Sequence, residues 1–264
     1  MNSKDLIQNK NYKETSVFTP ANLLREARRQ KKIKNCTVPE ICVLDPDGDI
    51  LKYLQKNKQA ELNKCWACYH TELYNFTFNK TKFGIIACAV GGSFAVLLAE
   101  QLFVSGCSLL ISVTSAGLIL PPPKNVRYIL IKEALRDEGT SYHYLPPESK
   151  AEINSKILKK LFPHLKKKNI QINIGNSWTT DAPYRETPTA IKYAKDKKVN
   201  AVEMEAASLY AFAKAKKKNV VCYAHLTNTM AQVKGDFEKG HENGSADWLN
   251  IIYHTAKILN KKAK

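Results

Sequence analysis

Glu203 and Glu205 stand two residues apart in Val202-Glu203-Met204-Glu205-Ala206-Ala207, and that spacing limits what the chain around them can form. On a helix the two carboxylates would project about 200° apart around the axis, whereas on a strand positions i and i+2 share a face. The run before Glu203 is short and apolar. The run after it, with Ala206, Ala207, Leu209, Ala211, Phe212, Ala213 and Ala215, is rich in helix formers. The triplet is therefore expected where a strand hands over to a helix, the place at which open α/β sheets bind ligands. A pair of solvated carboxylates at a helix N-terminus, favourable to its dipole, accounts for the same residues equally well.

The 264 residues suffice for one large α/β domain, and 44% hydrophobic residues can fill its core. No apolar run approaches the length of a membrane span, and residues 1–10 lack a signal-peptide stretch. Seven cysteines in apolar surroundings point to reduced thiols and a cytoplasmic protein. Cys65-Trp66-Ala67-Cys68 has a redox-type spacing without a second pair to support it. The net charge of +17 sits in short lysine clusters, Lys31-Lys32 to Lys261-Lys262, with no interleaved aromatics. A solvated basic surface fits this pattern better than a nucleic-acid platform, and no membrane contact is expected.

A polar segment, 1–17, precedes a short helix over Ala21–Arg29 with Pro20 near its start. Strands are expected at Glu40–Leu44, Phe83–Val90, Ser108–Val113, Tyr128–Ala134, Ile170–Ile174 and Val220–Leu226. Asp45-Pro46-Asp47-Gly48-Asp49 reads as a tight turn, and its three aspartates do not have the spacing of a calcium loop. A hairpin is expected within 65–86, and helices at Phe94–Leu102, Glu152–Leu161 and Asp247–Leu259. Gly91-Gly92-Ser93 lies between strand and helix, where bare backbone N–H groups can approach an anion or a sugar oxygen. Close helix–sheet packing needs such glycines too. Ser177–Thr187 reads as one long loop whose Tyr184 and Arg185 suit a flat polar base, or as a surface loop pinned by Asp181.

Val-Glu-Met-Glu-Ala-Ala resembles the ribose-binding signature of the nucleoside phosphorylase superfamily, and the similarity runs over roughly residues 40–260. Gly91-Gly92-Ser93-Phe94 is similar to the family's Gly-Gly-Pro-Ser turn, and Thr114-Ser115-Ala116-Gly117 to its Gly-Thr-x-Gly loop. The resemblance implies a three-layer α/β/α fold with a central mixed, twisted sheet, in one domain over 18–264. It implies ribose contacts from Glu205, Met204 and the nearby Glu203, with a hydroxyl from Thr114 or Ser115. Gly91, Gly92, Ser93 and His70 would line the phosphate or water pocket. Tyr142, His143, Tyr184 and Arg185 would face the base, and Asn228 stands where purine-cleaving relatives carry an acid. Members are dimers or rings of dimers, so a homo-oligomer is implied.

The chain departs from the family's phosphorolytic pattern at the nucleophile. The arginines that hold phosphate fall on Asp47-Gly48, on His70-Thr71-Glu72 and near Ile111. Beside Asp45, Asp47 and Asp49, a phosphate dianion without arginines would be repelled. Nucleosidases of the superfamily carry a carboxylate near the first strand end that activates water, a part open to Asp47 or Asp49. Hydrolysis of a nucleoside or nucleotide is therefore expected, with no cofactor and no metal. The alternatives are phosphorolysis, with inorganic phosphate as co-substrate, and a non-catalytic nucleoside sensor.

Overall fold

In the computed structural model the described residues are 10–123, 126–230, 232 and 234–260. The first nine residues and Lys261-Lys262 lie outside them. Ten strands form one mixed sheet in the order β10-β6-β8-β9-β5-β1-β4-β3-β2, with β7 added beside β6. The strands are β1 (Ile41–Asp45), β2 (Ala60–Leu62), β3 (Tyr74–Phe78), β4 (Thr81–Ala87), β5 (Leu109–Leu118), β6 (Tyr128–Asp137), β7 (Ala151–Glu152), β8 (Ile172–Thr180), β9 (Ala201–Glu203) and β10 (Asn219–Asn228). Among the described residues seven helices flank it: α1 (Pro20–Lys31), α2 (Asp49–Lys56), α3 (Gly92–Val104), α4 (Ser155–Lys167), α5 (Pro188–Asp196), α6 (Ala206–Lys216) and α7 (Ser245–Leu259). Helices α1, α3 and α6 pack together, as do α2, α4 and α7, giving the three layers. No described helix is long and apolar enough to cross a membrane.

The sheet closes on itself. Strand β5 pairs with β10 in parallel, β10 with β6, β6 with β8, β8 with β9, and β9 returns antiparallel to β5. Along its other edge β5 changes partner. Residues 109–112 pair with β1, and only Gly117 and Leu118 pair with β9. In between, the β5 backbone meets no strand on that side, and this gap in the ladder lies at the carboxyl end of β1.

Local chemistry explains most boundaries. All five residues of β1 are buried, as a central strand requires. The β3–β4 hairpin turns on Asn79 and Lys80, both with positive φ (48° and 62°) as a two-residue turn demands. Asp45, at the end of β1, accepts from the Gly48 amide at 3.1 Å and the Leu51 amide at 3.0 Å, and so caps α2 in place of a side chain at Gly48. It is 2% exposed, and burial pushes its carboxyl up to about 7.

Several sequence expectations are corrected. Thr114-Ser115-Ala116-Gly117 is not a loop: β5 runs through it because β10 pairs alongside as far as Gly117. Ser177 to Thr180 likewise belong to β8, held between β6 and β9, so the expected long loop begins only at Asp181. Helix α4 starts three residues later than expected, because Glu152 pairs with Glu133 in the sheet and Asn154 accepts from the Lys156 amide as the cap. It continues through Pro163 to Lys167. The cysteines are not all reduced: Cys36 pairs with Cys65 across 5.4 Å between Cα atoms, while Cys42, Cys68, Cys88, Cys107 and Cys222 are free. Cys65 is thereby withdrawn from any pairing with Cys68, which is buried and accepts from the His70 amide.

Asp45→Ala would leave the first amides of α2 without an acceptor in a buried setting. It should cost roughly 1–2 kcal/mol, read as a lowered urea midpoint with an unchanged slope; an unchanged midpoint would remove Asp45 from the role of cap.

Candidate active site

The Glu-Met-Glu triplet sits where the sequence places it, with β9 ending at Glu203 and α6 opening at Ala206. Its two carboxylates are not solvated, at 4% and 2% exposure, and they do different things. Glu203 caps α6. Its Oε2 accepts from the amides of Glu205 and Ala206, each at 2.7 Å, and its Oε1 accepts from the hydroxyls of Ser177 (2.9 Å) and Thr179. Ser177 and Thr179 reach it because they alternate on β8, which runs parallel to β9.

Glu205 turns to another element. Its Oε1 accepts from the Gly91 amide at 2.8 Å, at the mouth of α3, and its buried Oε2 has no partner among the described residues. Burial, then the neighbouring charge of Glu203, then that of Asp47, push its carboxyl up to about 8, against the pull of the Gly91 amide. Burial also raises Glu203, but four donors and a helix N-terminus favour its ionised form. The proton of this pair therefore rests on Glu205. Gly92 follows with no room for a side chain, since a Cβ there would stand 2.1 Å from Ser208 Oγ on α6. Ser208 in turn donates to Glu138, which also accepts from the Ser141 amide.

The three aspartates after β1 point apart. Asp45 caps α2. Asp47 fills the gap beside β5, accepting from the Ser115 amide at 2.9 Å and the Ser115 hydroxyl at 2.8 Å. Asp49 accepts from Lys239 Nζ at 2.6 Å and Asn243 Nδ2 at 2.9 Å, and Lys239 also lies 3.3 Å from Asp47. His225, on β10 in register with Ser115, stacks on Tyr128. Burial, with Arg127 and Lys239 nearby, lowers it to about 4, so it is neutral above that pH.

Of the residues singled out in the sequence, the fold gathers Asp47, Ser115, Gly91, Gly92, Glu203 and Glu205 into one cluster, with half-buried Met204 inside its turn. Thr114 is buried and donates to the Ser115 carbonyl. Asn228, at the end of β10, accepts from the Met230 amide at 2.9 Å and lies beside Gly117. Tyr142 and His143 form a 3₁₀ turn next to Glu138, where Lys10 meets His143 Nδ1 at 2.8 Å. Tyr184 is 99% exposed and Arg185 follows it on the same open turn. His70 is exposed in the segment before β3, and no bond described here joins it, Tyr184 or Arg185 to the Glu205 cluster. Ser93 follows Gly92 in the first turn of α3.

Five participants were missed in the sequence. Lys239 is one lysine among many, and His225 and Glu138 show no local pattern. Ser177 and Thr179 carried a signal, since their i, i+2 spacing matches a strand facing Glu203.

A family model described as the phosphorylase superfamily matches residues 40–254. The chain belongs to the phosphorylase superfamily. Among the superfamily relatives, an uncharacterized protein of Acanthamoeba polyphaga mimivirus is 31% identical over 180 residues, 67% of this chain and 66% of that protein. The match thus spans just under two thirds of the viral protein. A uridine phosphorylase of Thermococcus kodakarensis is 24% identical over 190 residues, 63% of this chain and 69% of the relative. The fold is shared with an AMP nucleosidase from Bacteroides thetaiotaomicron at a TM-score of 0.70, with 17% identity over 92% of this chain and 99% of that one.

The raised carboxyl of Glu205 gives a pH test. The native protein keeps a proton that the unfolded chain releases above about pH 4.5, so this group lowers stability as pH climbs from 4.5 towards 8. Glu205→Gln should melt close to wild type at pH 5 and higher than wild type at pH 8.5. A melting difference that stays constant across that range would contradict a proton on Glu205.

Proposed function

We propose that this phosphorylase-superfamily chain cleaves the N-glycosidic bond of a nucleoside or nucleotide with water as the nucleophile. The observation that carries the reading is the charge around Asp47 and Glu205. None of the six arginines of the chain bonds to that cluster. Arg136 is spent on Ser141 and the carbonyls of Leu145, Pro146 and Ser149, and Arg28 reaches Ser105. The one ammonium group described there, that of Lys239, is committed to Asp47 and Asp49. A phosphate dianion would enter among carboxylates, whereas a water molecule meets acceptors suited to take its proton.

Asp47 is the better candidate for the base. Its charge reaches the carboxyl of Glu205, whose second oxygen is open to a sugar hydroxyl. Glu205 Oε2 meets no donor among the described residues and would receive a ribose hydroxyl, its proton passing to solvent water as the sugar binds. Developing positive charge on the sugar would then lie beside ionised carboxylates. Asn228 Nδ2 donates at 3.2 Å to Thr227 Oγ1 and retains a second hydrogen, which suits a carbonyl-bearing base.

Phosphorolysis is the second reading. It is favoured by the mouth of α3, where Gly91 and Gly92 leave the first amides with no side-chain cap. Exposed Val17 and Phe18, with Leu97 on α3, support assembly as a homo-oligomer. A reducing, cytoplasmic setting rests on the five free cysteines, with the Cys36–Cys65 bond against it.

The test is a panel of nucleosides and nucleotides incubated with the pure protein, with and without phosphate, while free base is followed. Base should appear without phosphate, and Asp47→Asn should slow it by roughly 100-fold or more. Release that demands phosphate would reverse the choice of nucleophile; nucleoside binding with no release would make the chain a sensor.

A further inference from the structure

The turn after β1 carries three carboxylates within five residues, and Glu205 approaches from the β9–α6 junction. Such a cluster takes up protons unless a cation holds it apart. The cation comes from the other end of the chain. Lys239 lies between β10 and α7, with its side chain 19% exposed, against 25% for Asp47 and 14% for Asp49. This is not the geometry of a solvated surface pair, which would contribute little.

The approach of Lys239 is built into its loop. Gly235 and Gly240 flank it with φ of 86° and 80°, values that favour glycine. Asp236 accepts from the Thr229 amide at 2.7 Å and from its hydroxyl at 2.9 Å, which pins the loop back to the end of β10. Asn243, farther along, donates to the second oxygen of Asp49. Among the described residues, the groups facing Asp47 are Asp45 and Asp49 from its own turn, Ser115 from β5, neutral His225 from β10, Glu205 from the β9–α6 junction, and Lys239. Lys239 supplies the positive charge in direct contact, since Arg127 acts on His225 and donates to the Glu238 carbonyl.

We propose that Lys239 is a positioning residue for the reaction: its ammonium group clamps Asp47 to Asp49 and holds Asp47 against Ser115. This rests on Asp47 serving as the base under the hydrolytic reading. It ties the competence of the first strand end to closure of the 234–244 loop.

The experiment uses the full chain with 13C-labelled aspartate carboxyls, assigned through Asp47→Asn and Asp49→Asn. At one fixed pH, Lys239→Met should move the carboxyl signals of Asp47 and Asp49 and the amide signal of Ser115. It should lower kcat for base release by roughly tenfold while KM changes less than about twofold. Lys239→Arg should restore both, and Lys239→Gln replaces the methionine variant if that one does not fold. Unmoved signals in a folded variant overturn the proposal, and so do signals that move while kcat stays at the wild-type value. The carboxyl signals need no turnover, so full-rate release by Asp47→Asn would refute the base assignment separately, leaving the clamp to be judged on those signals.

Discussion

The contact between the Glu205 carboxylate and the Gly91 amide joins residues 114 positions apart, and the arrangement of the site depends on it. Two buried carboxylates side by side are costly, and the structure separates their burdens. Glu203 carries the charge, met by two amides at the start of α6 and two hydroxyls from β8. Glu205 holds the proton and accepts from the Gly91 amide at the mouth of α3. For this to work α3 and α6 must come close, and they do so where Gly92 has no side chain to strike Ser208. The same approach leaves one Glu205 oxygen without a partner among the described residues.

A second constraint comes from the sheet. By closing through β5, β10, β6, β8 and β9, it forces β5 to give up β1 before it meets β9. The amide of Ser115, exposed by that change of partner, takes Asp47 instead of a strand. An irregularity in the ladder thus becomes an anchor for a carboxylate, just outside the end of β1. This is the placement expected of ligand sites in α/β sheets.

The electrostatics of the interior and of the surface are opposite in sign. The chain as a whole carries +17, yet the cluster of Asp47, Asp49, Glu203 and Glu205 is acidic and Lys239 is its contacting cation. The surface field attracts anions, while the interior of the cluster favours neutral or cationic groups. Net charge alone therefore says little about the chemistry at the site.

The strand-to-helix position of Glu203 and Glu205 was legible because it rests on local periodicity and helix propensity, which act within a few residues. The glycine pair before α3 and the turn after β1 were legible for the same reason. How each carboxylate is held was not, because that depends on donors from β8 and from the mouth of α3, far away in sequence. Nor could the sequence show that Thr114 to Gly117 stays in a strand, since the hydrogen bonds that keep it extended come from β10. Lys239 carries no local mark at all; only the course of the chain between β10 and α7 brings it to Asp47. The amino-acid sequence by itself determined the elements, the family and the acidic residues of the site. The tertiary structure alone decided their partners and protonation, because burial and long-range pairing set the energy of a charge.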